Sequence, residues 1–342
     1  MRYKLLGKSG LRVSELCLGT MTFGETWGWG ASKEESKKQF DYFAEQGGNF
    51  IDTSVNYTDG TSEEFLGDFI SQADREYFVV ATKYTLTKPD STDPNSGGNS
   101  RKNMMKSVER SLRRLQTEYL DILYLHMWDY MTPVEEVMRG LDDLVTAGKI
   151  NYVAISDTPA YIVAEANMMA ELRGWSRFIG LQVPYSLLRR DIERELIPMA
   201  HHWDMAVLPW GLLRAGVLTG KFLQPSDEPT RINRDELNLS ERALNIVKEV
   251  VKVAEETGHS PAQVAINWVR QQPKAQMIPI LGARTVEHLK DNMEAVDWQL
   301  SDEHWQRLDE VSAIDLGFPH GFLDANQYIF GATHDKIDNH RR

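Results

Sequence analysis

The chain holds one cysteine, Cys17, in 342 residues. No disulfide can form within it, which fits a reducing compartment. Metal-ligand pairs are missing too: the nine histidines are scattered, with no H-x-x-x-H spacing, and the one adjacent pair, His201-His202, reads as a helix end. No metal is expected. No apolar run approaches the ~18 residues of a membrane span, and the opening MRYKLLGKSGLRVS has no apolar stretch of signal-peptide length. Positive charge is also short, with 38 Lys and Arg against 50 Asp and Glu, a formal net charge of −12. Binding phosphates along a polymer or a membrane takes a basic face, so neither nucleic acid nor membrane is an expected partner. Nucleotide loops are absent as well. No G-x-G-x-x-G follows the first strand, and Gly216-Val-Leu-Thr-Gly220-Lys221 is one residue short of phosphate-loop spacing. The expectation is a cytoplasmic protein acting on a small molecule.

What is present is ample material for a core, 42% apolar and 26% charged residues with no compositional break. A single domain over 1–342 is expected. Tyr3–Leu16 reads as a β-hairpin turning at Lys8-Ser9-Gly10, with glycine supplying the positive φ of a tight turn. Short apolar runs then alternate with helical stretches. The strand candidates are Glu15–Thr20, Asn49–Val55, Phe78–Tyr84, Asp121–Trp128, Tyr152–Asp157, Phe178–Tyr185, Met205–Trp210 and Met277–Leu281. Helix starts are expected at the capping boxes Ser32–Glu35 and Thr61–Glu64, at Thr132-Pro133-Val134-Glu135 and Ser260-Pro261-Ala262-Gln263 with proline at N1, and at Thr158-Pro159. Eight strands alternating with helices fit an α/β fold of the (β/α)8 TIM-barrel type with an N-terminal hairpin. A doubly wound sheet is the alternative. Two long connections, Thr85–Ser100 and Gly211–Leu239, would sit as loops on the C-terminal face, where barrel sites are built.

Polar residues stand at the ends of apolar strands: Asp52 in FIDTSVNY, Lys83 in VVATKY and His126 in ILYLH. Buried charges are costly unless paired. On adjacent strands these three converge on one mouth, with Tyr57 just beyond its strand. A nearby ammonium favours the phenolate and lowers a tyrosine pKa. Such a cluster can protonate a carbonyl oxygen while hydride reaches the carbon. A Lys–Asp pair that only holds the barrel together, or a Schiff-base lysine, are the competing readings.

Four segments resemble the aldo-keto reductase superfamily. Gly19-Thr20-Met21-Thr-Phe-Gly24 is similar to its first-strand motif, Phe50–Tyr57 to its Asp-Thr-Ala-x-x-Tyr motif, Ala81-Thr-Lys83 to the lysine strand and Tyr124–Glu136 to the histidine strand and the helix after it. Gly98–Asn103, Ile155–Pro159 and Gln182–Leu187 resemble the branch of bacterial general reductases, aryl-alcohol dehydrogenases and potassium-channel β-subunits. The resemblance implies NADPH-dependent carbonyl reduction with the tetrad Asp52, Tyr57, Lys83 and His126. It also implies cofactor contacts from Gly19, Thr20, Met21, Asp52, Ser156, Gln182 and a stacking Trp210. Asp157 departs from the usual asparagine, and Gly211 and Leu212 from the usual Ser-Pro, though both are still implied at the cofactor through their backbone N–H groups. Gly216 and Lys221 are implied at the pyrophosphate. In Pro279–Asn292, Gly282 would open an anion-binding helix N-terminus, Arg284 would meet a 2′-phosphate, His288 replaces the usual glutamine or arginine, and Asp291 and Asn292 would hold the adenine. NADPH is thus expected over NADH. Trp27, Tyr57, Tyr84, His126 and Trp128 are the expected substrate pocket for an aromatic or bulky carbonyl, with Trp29 and Tyr130 also near strand ends. A cofactor-sensing module with slow turnover is the rival within the same family. The stretch Gly317–Arg342 is expected to fold back over the barrel or to serve assembly, and a homo-oligomer is left open.

Overall fold

The alternation of apolar runs and capped segments resolves into ten strands and eleven α-helices among the described residues. A computed structural model describes residues 1–223, 239–323 and 325–338, so most of the second long loop (224–238) and the last four residues lie outside the described residues. Strands β1 (Tyr3–Leu5) and β2 (Arg12–Ser14) form the antiparallel hairpin. The chain then runs β3 (Cys17–Gly19), α1 (Lys33–Glu45), β4 (Phe50–Asp52), α2 (Thr61–Ile70), β5 (Val79–Tyr84), α3 (Arg101–Arg114), β6 (Leu120–Leu125) and α4 (Val134–Thr146). It continues through β7 (Ile150–Ser156), α5 (Ala160–Arg173), β8 (Phe178–Pro184), α6 (Leu196–His202), β9 (Ala206–Trp210), α7 (Glu241–Thr257), α8 (Pro261–Arg270) and β10 (Ile280–Leu281), and ends in α9 (Val286–Met293), α10 (Asp302–Val311) and α11 (Asn326–Ile329).

Strands β3 to β10 form one parallel sheet in the order β10-β3-β4-β5-β6-β7-β8-β9. A parallel bridge between Val207 and Met277 joins its two ends, with Val207 N donating to Gln276 O at 2.8 Å and Ile278 N to Val207 O at 2.9 Å. This is the closed (β/α)8 barrel, not the doubly wound sheet. The bridge also explains why β10 is shorter than the run Met277–Leu281: its first residues are spent on closure.

Side-chain parity divides the interior into two layers. Phe50, Val79, Ala81, Ile122, Tyr124 and Ala154 pack inside the barrel. Ile51, Val80, Tyr84, Leu123 and Leu125 face the helices. The same alternation sends Asp52, Lys83, His126 and Ser156 inward, at the carboxyl ends of their strands. The hairpin closes the other end. Leu6 and Val13 join the interior layer, Lys8 N donates to Asp204 O at 2.7 Å, Gly7 N to Gln276 Oε1 at 3.1 Å and Lys4 Nζ to Met277 O at 2.8 Å. The positive φ falls on Gly7 (+51°) rather than on Gly10. A Cβ on Gly7 would lie 2.3 Å from Ile179 O, so the residue must be glycine for closeness as well as for φ.

Helix caps divide. Ser32 and Ser260 accept from the N–H groups of Glu35 and Gln263 as expected. Thr61 does not cap. It is the first residue of α2, and Gly60 takes the cap position with no side-chain bond. Thr132 does not cap either: α4 starts at Val134 behind Pro133, and the Thr132 hydroxyl donates to Asp129 at 2.8 Å instead. In both places the residue just before the helix takes the cap position, Gly60 for α2 and Pro133 for α4. Behind Thr158, α5 begins at Ala160 with Pro159 as its cap residue. The Thr85–Ser100 loop is anchored on the C-terminal face: Gly98 N donates to Thr85 O at 2.8 Å, and Asn99 N to Asp129 Oδ2 at 2.7 Å.

Candidate active site

Three adjacent strands place three inward-pointing polar side chains in one mouth. Lys83 Nζ lies 2.6 Å from Asp52 Oδ2, 2.8 Å from Thr53 O and 3.0 Å from Tyr57 Oη. Lys83 is fully buried and Asp52 nearly so. The second carboxylate oxygen of Asp52 accepts from Gln182 Nε2 at 2.8 Å, so β4 is tied across the barrel to β8. Burial pulls the Lys83 pKa down, but Asp52 and Tyr57 overcome it and the net shift is upward. The lysine is therefore held as an ammonium. That state does not suit an amine nucleophile, and the Schiff-base reading loses its chemistry.

Tyr57 opens a short 3-10 turn, Tyr57–Gly60. Thr58, Asp59 and Gly60 follow it at φ of 45°, 61° and 104°, a costly run for the two non-glycine residues. The surroundings enforce it. Thr58 Oγ1 donates to Phe23 O at 2.6 Å and accepts from Ser62 N at 3.1 Å. The Arg114 guanidinium lies against Gly60, where a Cβ would come within 2.2 Å of its Cζ. Its Nη1 donates to Val55 O at 2.9 Å. The turn fixes the phenol over the ammonium. The expected fall in the Tyr57 pKa is not the net result: burial pushes it up more than Lys83 pulls it down. The phenol is held protonated, ready to give a proton, with the cation beside it to receive the phenolate.

His126 stands edge-on to Tyr57, ring centroids 5.9 Å apart. Burial, reinforced by Lys83, pushes its pKa well below the ordinary value, so the imidazole is neutral. Its Nδ1 is 3.2 Å from Ser54 Oγ, and Ser54 Oγ donates to Asn56 Oδ1 at 2.7 Å. In that arrangement Ser54 accepts from Nδ1–H, leaving Nε2 bare. Turning the Asn56 amide over reverses the chain and puts the proton on Nε2. Neither Ser54 nor Asn56 stood out in the sequence, because their part depends on the histidine they meet.

The residues assigned by resemblance to a cofactor are spread along the same rim. Ser156 and Gln182 are paired in register on β7 and β8. Trp210 ends β9 and is 37% exposed. A Cβ on Gly211 or Gly282 would meet no atom within 4 Å, so both strand ends give onto free space. Lys221 reaches back over Gly216, where a Cβ would lie 2.7 Å from its Nζ. Leu212 is buried. Gly19 and Thr20 are buried and Met21 partly so. The Thr20 hydroxyl is engaged with Asp52 O and Ser62. The site thus offers a stacking face, amide groups and a cation along one side, which fits a nicotinamide dinucleotide. Gly282 does not itself open the helix. Thr285 caps α9 and accepts from His288 N, while Glu35 Oε1 already accepts from Val286 N at 2.7 Å. Arg284 is half-buried in the loop before it, and His288 is exposed. Asn292 is buried, and Asp291 is engaged by Ser260 and Gln263 of α8 at 3.0 and 2.9 Å.

On the substrate side, Trp27 meets Tyr57 edge-on at 6.5 Å and Trp29 at 5.7 Å. Trp128 is buried, its N–H donating to Asp157 O at 3.4 Å, and Tyr130 is exposed on the rim. Tyr84 is not brought to the mouth. It follows Lys83 on β5, so parity sends it outward, fully buried against the helical layer. Asp157, at the end of β7, joins the mouth with a carboxyl pushed up by burial to about 6, against the pull of Lys83 and Arg189. Among the described residues there is no cluster fit for a metal ion, and no helix is long and apolar enough to cross a membrane.

Comparison with known proteins gives concordant matches. The family model described as the Aldo/keto reductase family matches residues 15–313. An aryl-alcohol dehydrogenase [NADP(+)] of Phanerodontia chrysosporium is 41% identical over 347 residues, covering 93% of this chain and 88% of its own length. A norsolorinic acid reductase of Aspergillus flavus is 37% identical, covering 93% of this chain and 83% of its own. A putative aryl-alcohol dehydrogenase of Saccharomyces cerevisiae is 37% identical, covering 94% and 89%.

Proposed function

Because the chain belongs to the aldo/keto reductase family, an oxidoreductase family, we propose that it interconverts an aromatic or bulky carbonyl compound and its alcohol with NADP(H), and that Tyr57 handles the proton. The observation that carries this reading is the Lys83 ammonium 3.0 Å from the Tyr57 hydroxyl and 2.6 Å from the Asp52 carboxylate. NADPH, when bound, would supply the hydride for the carbonyl carbon. Trp210 would stack on its ring, Ser156 and Gln182 would hold its carboxamide, and Lys221 and Arg284 would meet its phosphates. NADP(H) rather than NADH is supported by the cofactor in the name of the Phanerodontia relative.

Tyr57 gives its proton to the carbonyl oxygen as negative charge develops there, and Lys83 stabilises the phenolate left behind. Asp52 keeps Lys83 charged and aimed. His126 orients the substrate oxygen. Donation to a carbonyl needs the proton on Nε2, while bare Nε2 accepts from an alcohol, so the Ser54–Asn56 pair serves both directions. The aromatic preference is supported by Trp27 beside Tyr57, with Trp29 against Trp27, and by the aryl-alcohol names of relatives.

The test is fluorescence titration with NADPH and NADH, followed by turnover of NADPH with 4-nitrobenzaldehyde. Quenching by NADPH and oxidation by the aldehyde are expected. Tyr57→Phe should lower turnover by roughly 10²–10⁴-fold with NADPH affinity nearly unchanged. Equal loss of both would remove Tyr57 from the proton step. Tight binding without turnover in the unaltered protein would favour a sensing module.

A further inference from the structure

Charge at the mouth does not balance. Lys83 and Asp52 neutralise each other at 2.6 Å. Tyr57 and His126 are both uncharged at neutral pH, burial favouring the protonated phenol and the neutral imidazole. That leaves Asp157. It ends β7 one residue past Ser156, and its backbone is bent to φ +30°. Its carbonyl is engaged by Trp128 N. Among the described residues its carboxylate has no ion pair and no side-chain hydrogen bond, and is met only by its own backbone N–H. The charged and titratable groups within its electrostatic reach are Lys83, Tyr57 and Arg189. Lys83 is already matched by Asp52, and Arg189 lies 3.5 Å from Asp191. A half-buried carboxylate with no cation of its own is costly, and it fits a ligand that brings positive charge.

We propose that Asp157 is the counter-charge for the oxidised nicotinamide ring and thereby sets the redox bias of the bound cofactor. The inference rests on the NADP(H) reading above. Transfer of hydride from the ring C4 to a carbonyl carbon leaves one positive charge on the ring, while the Tyr57 proton goes to the oxygen and Lys83 faces the phenolate. Alcohol oxidation consumes that ring charge again. Asp157 as a carboxylate stabilises the charged ring and does little for the uncharged one. It therefore favours NADP⁺ over NADPH in the site and tilts the bound equilibrium toward alcohol. The usual amide at this position carries no net charge and exerts no such bias.

Asp157→Asn tests this with little risk to the backbone, because asparagine keeps the shape and tolerates positive φ. Dissociation constants for NADP⁺ and NADPH are measured on the intact chain by tryptophan fluorescence. At an effective dielectric near ~20, a charge pair several ångströms apart is worth a factor of roughly ten or more in binding. NADP⁺ should weaken by at least about tenfold in the variant, and NADPH by less than about threefold. The unaltered protein supplies a second measurement. Burial pushes the Asp157 carboxyl up to about 6, so moving from pH 7.5 to pH 5 should shrink the NADP⁺ to NADPH preference, and the variant should not respond. The cofactor phosphates titrate alike in both forms, so the ratio isolates the ring charge. Equal weakening of both forms, or no change in either, overturns the proposal and leaves Asp157 an ordinary contact. Failure of the unaltered protein to bind either form is a separate result, and it overturns the NADP(H) reading itself.

Discussion

Lys83 is tolerable inside the barrel only because every donor direction is answered: a carboxylate, a carbonyl and a phenol lie within 3.0 Å. Breaking one partner of such a pair leaves an uncompensated charge, so substitutions at Asp52 or Lys83 mix lost stability with lost chemistry. Ser54 gives a cleaner handle. Its side chain bonds neither Lys83 nor Tyr57, and it links His126 Nδ1 to Asn56. Under the proposed function, Ser54→Ala should lower kcat for carbonyl reduction by roughly tenfold, with KM and NADPH affinity little changed. The ¹⁵N shift of His126 Nδ1 should change, since that nitrogen loses its hydroxyl partner. A fall in NADPH affinity equal to the fall in kcat would mean that Ser54 merely supports the loop. At this scale the sequence was legible where polar residues interrupted apolar strands, since Asp52, Lys83 and His126 each break a pattern. Asp157 was visible as a departure from a motif, but its unmatched charge needed the surrounding cations to be counted in space. Tyr84 lies next to Lys83 in the chain, but the period-2 alternation of β5 turns it away from the mouth.

The eight barrel strands were legible because they are buried on both faces and read as unbroken apolar runs. Their ends and the loops between them were less so. The cap expected at Thr61 passes to Gly60 and that at Thr132 to Pro133, the Thr132 hydroxyl being taken by Asp129. The hairpin turn shows the same effect. Two glycines flank Lys8-Ser9, and local propensity does not rank them, whereas the strand ends below do. Gly7→Ala should cost roughly 2–4 kcal/mol, since both its φ and its 2.3 Å clearance to Ile179 O forbid a Cβ. Gly10→Ala, with nothing within 4 Å, should stay within about 0.5 kcal/mol. Urea midpoints of the two variants compare them directly, and equal midpoints would mean that the hairpin floor relaxes around the new methyl group.

The whole molecule is a barrel with a floor and a tail. The segment after α10 is held by Arg194 Nη2 donating to Asp315 O at 2.9 Å and Arg242 Nη2 donating to Ser312 O at 2.5 Å. Phe318, Phe322 and Tyr328 remain 88%, 72% and 84% exposed, so the described part of the tail adds little to the core. Ending the chain after Leu316 should therefore move the melting temperature by no more than about 2 °C. A larger fall, measured by scanning calorimetry at several protein concentrations, would show that the tail is covered in solution. The sequence left this segment open between two roles, because exposed aromatics carry no period that points to a partner.

The floor has a consequence in time. Gly7 and the Gln276 side chain that receives its N–H are 269 residues apart. A ribosome adding roughly 5–20 residues per second separates their emergence by about 15–50 s. Through that interval Leu6 and Val13 have no barrel interior to enter, and β3 has no β10 beside it. The hairpin, made before the strands it closes, is the piece that waits, its apolar residues uncovered while the ring is still open.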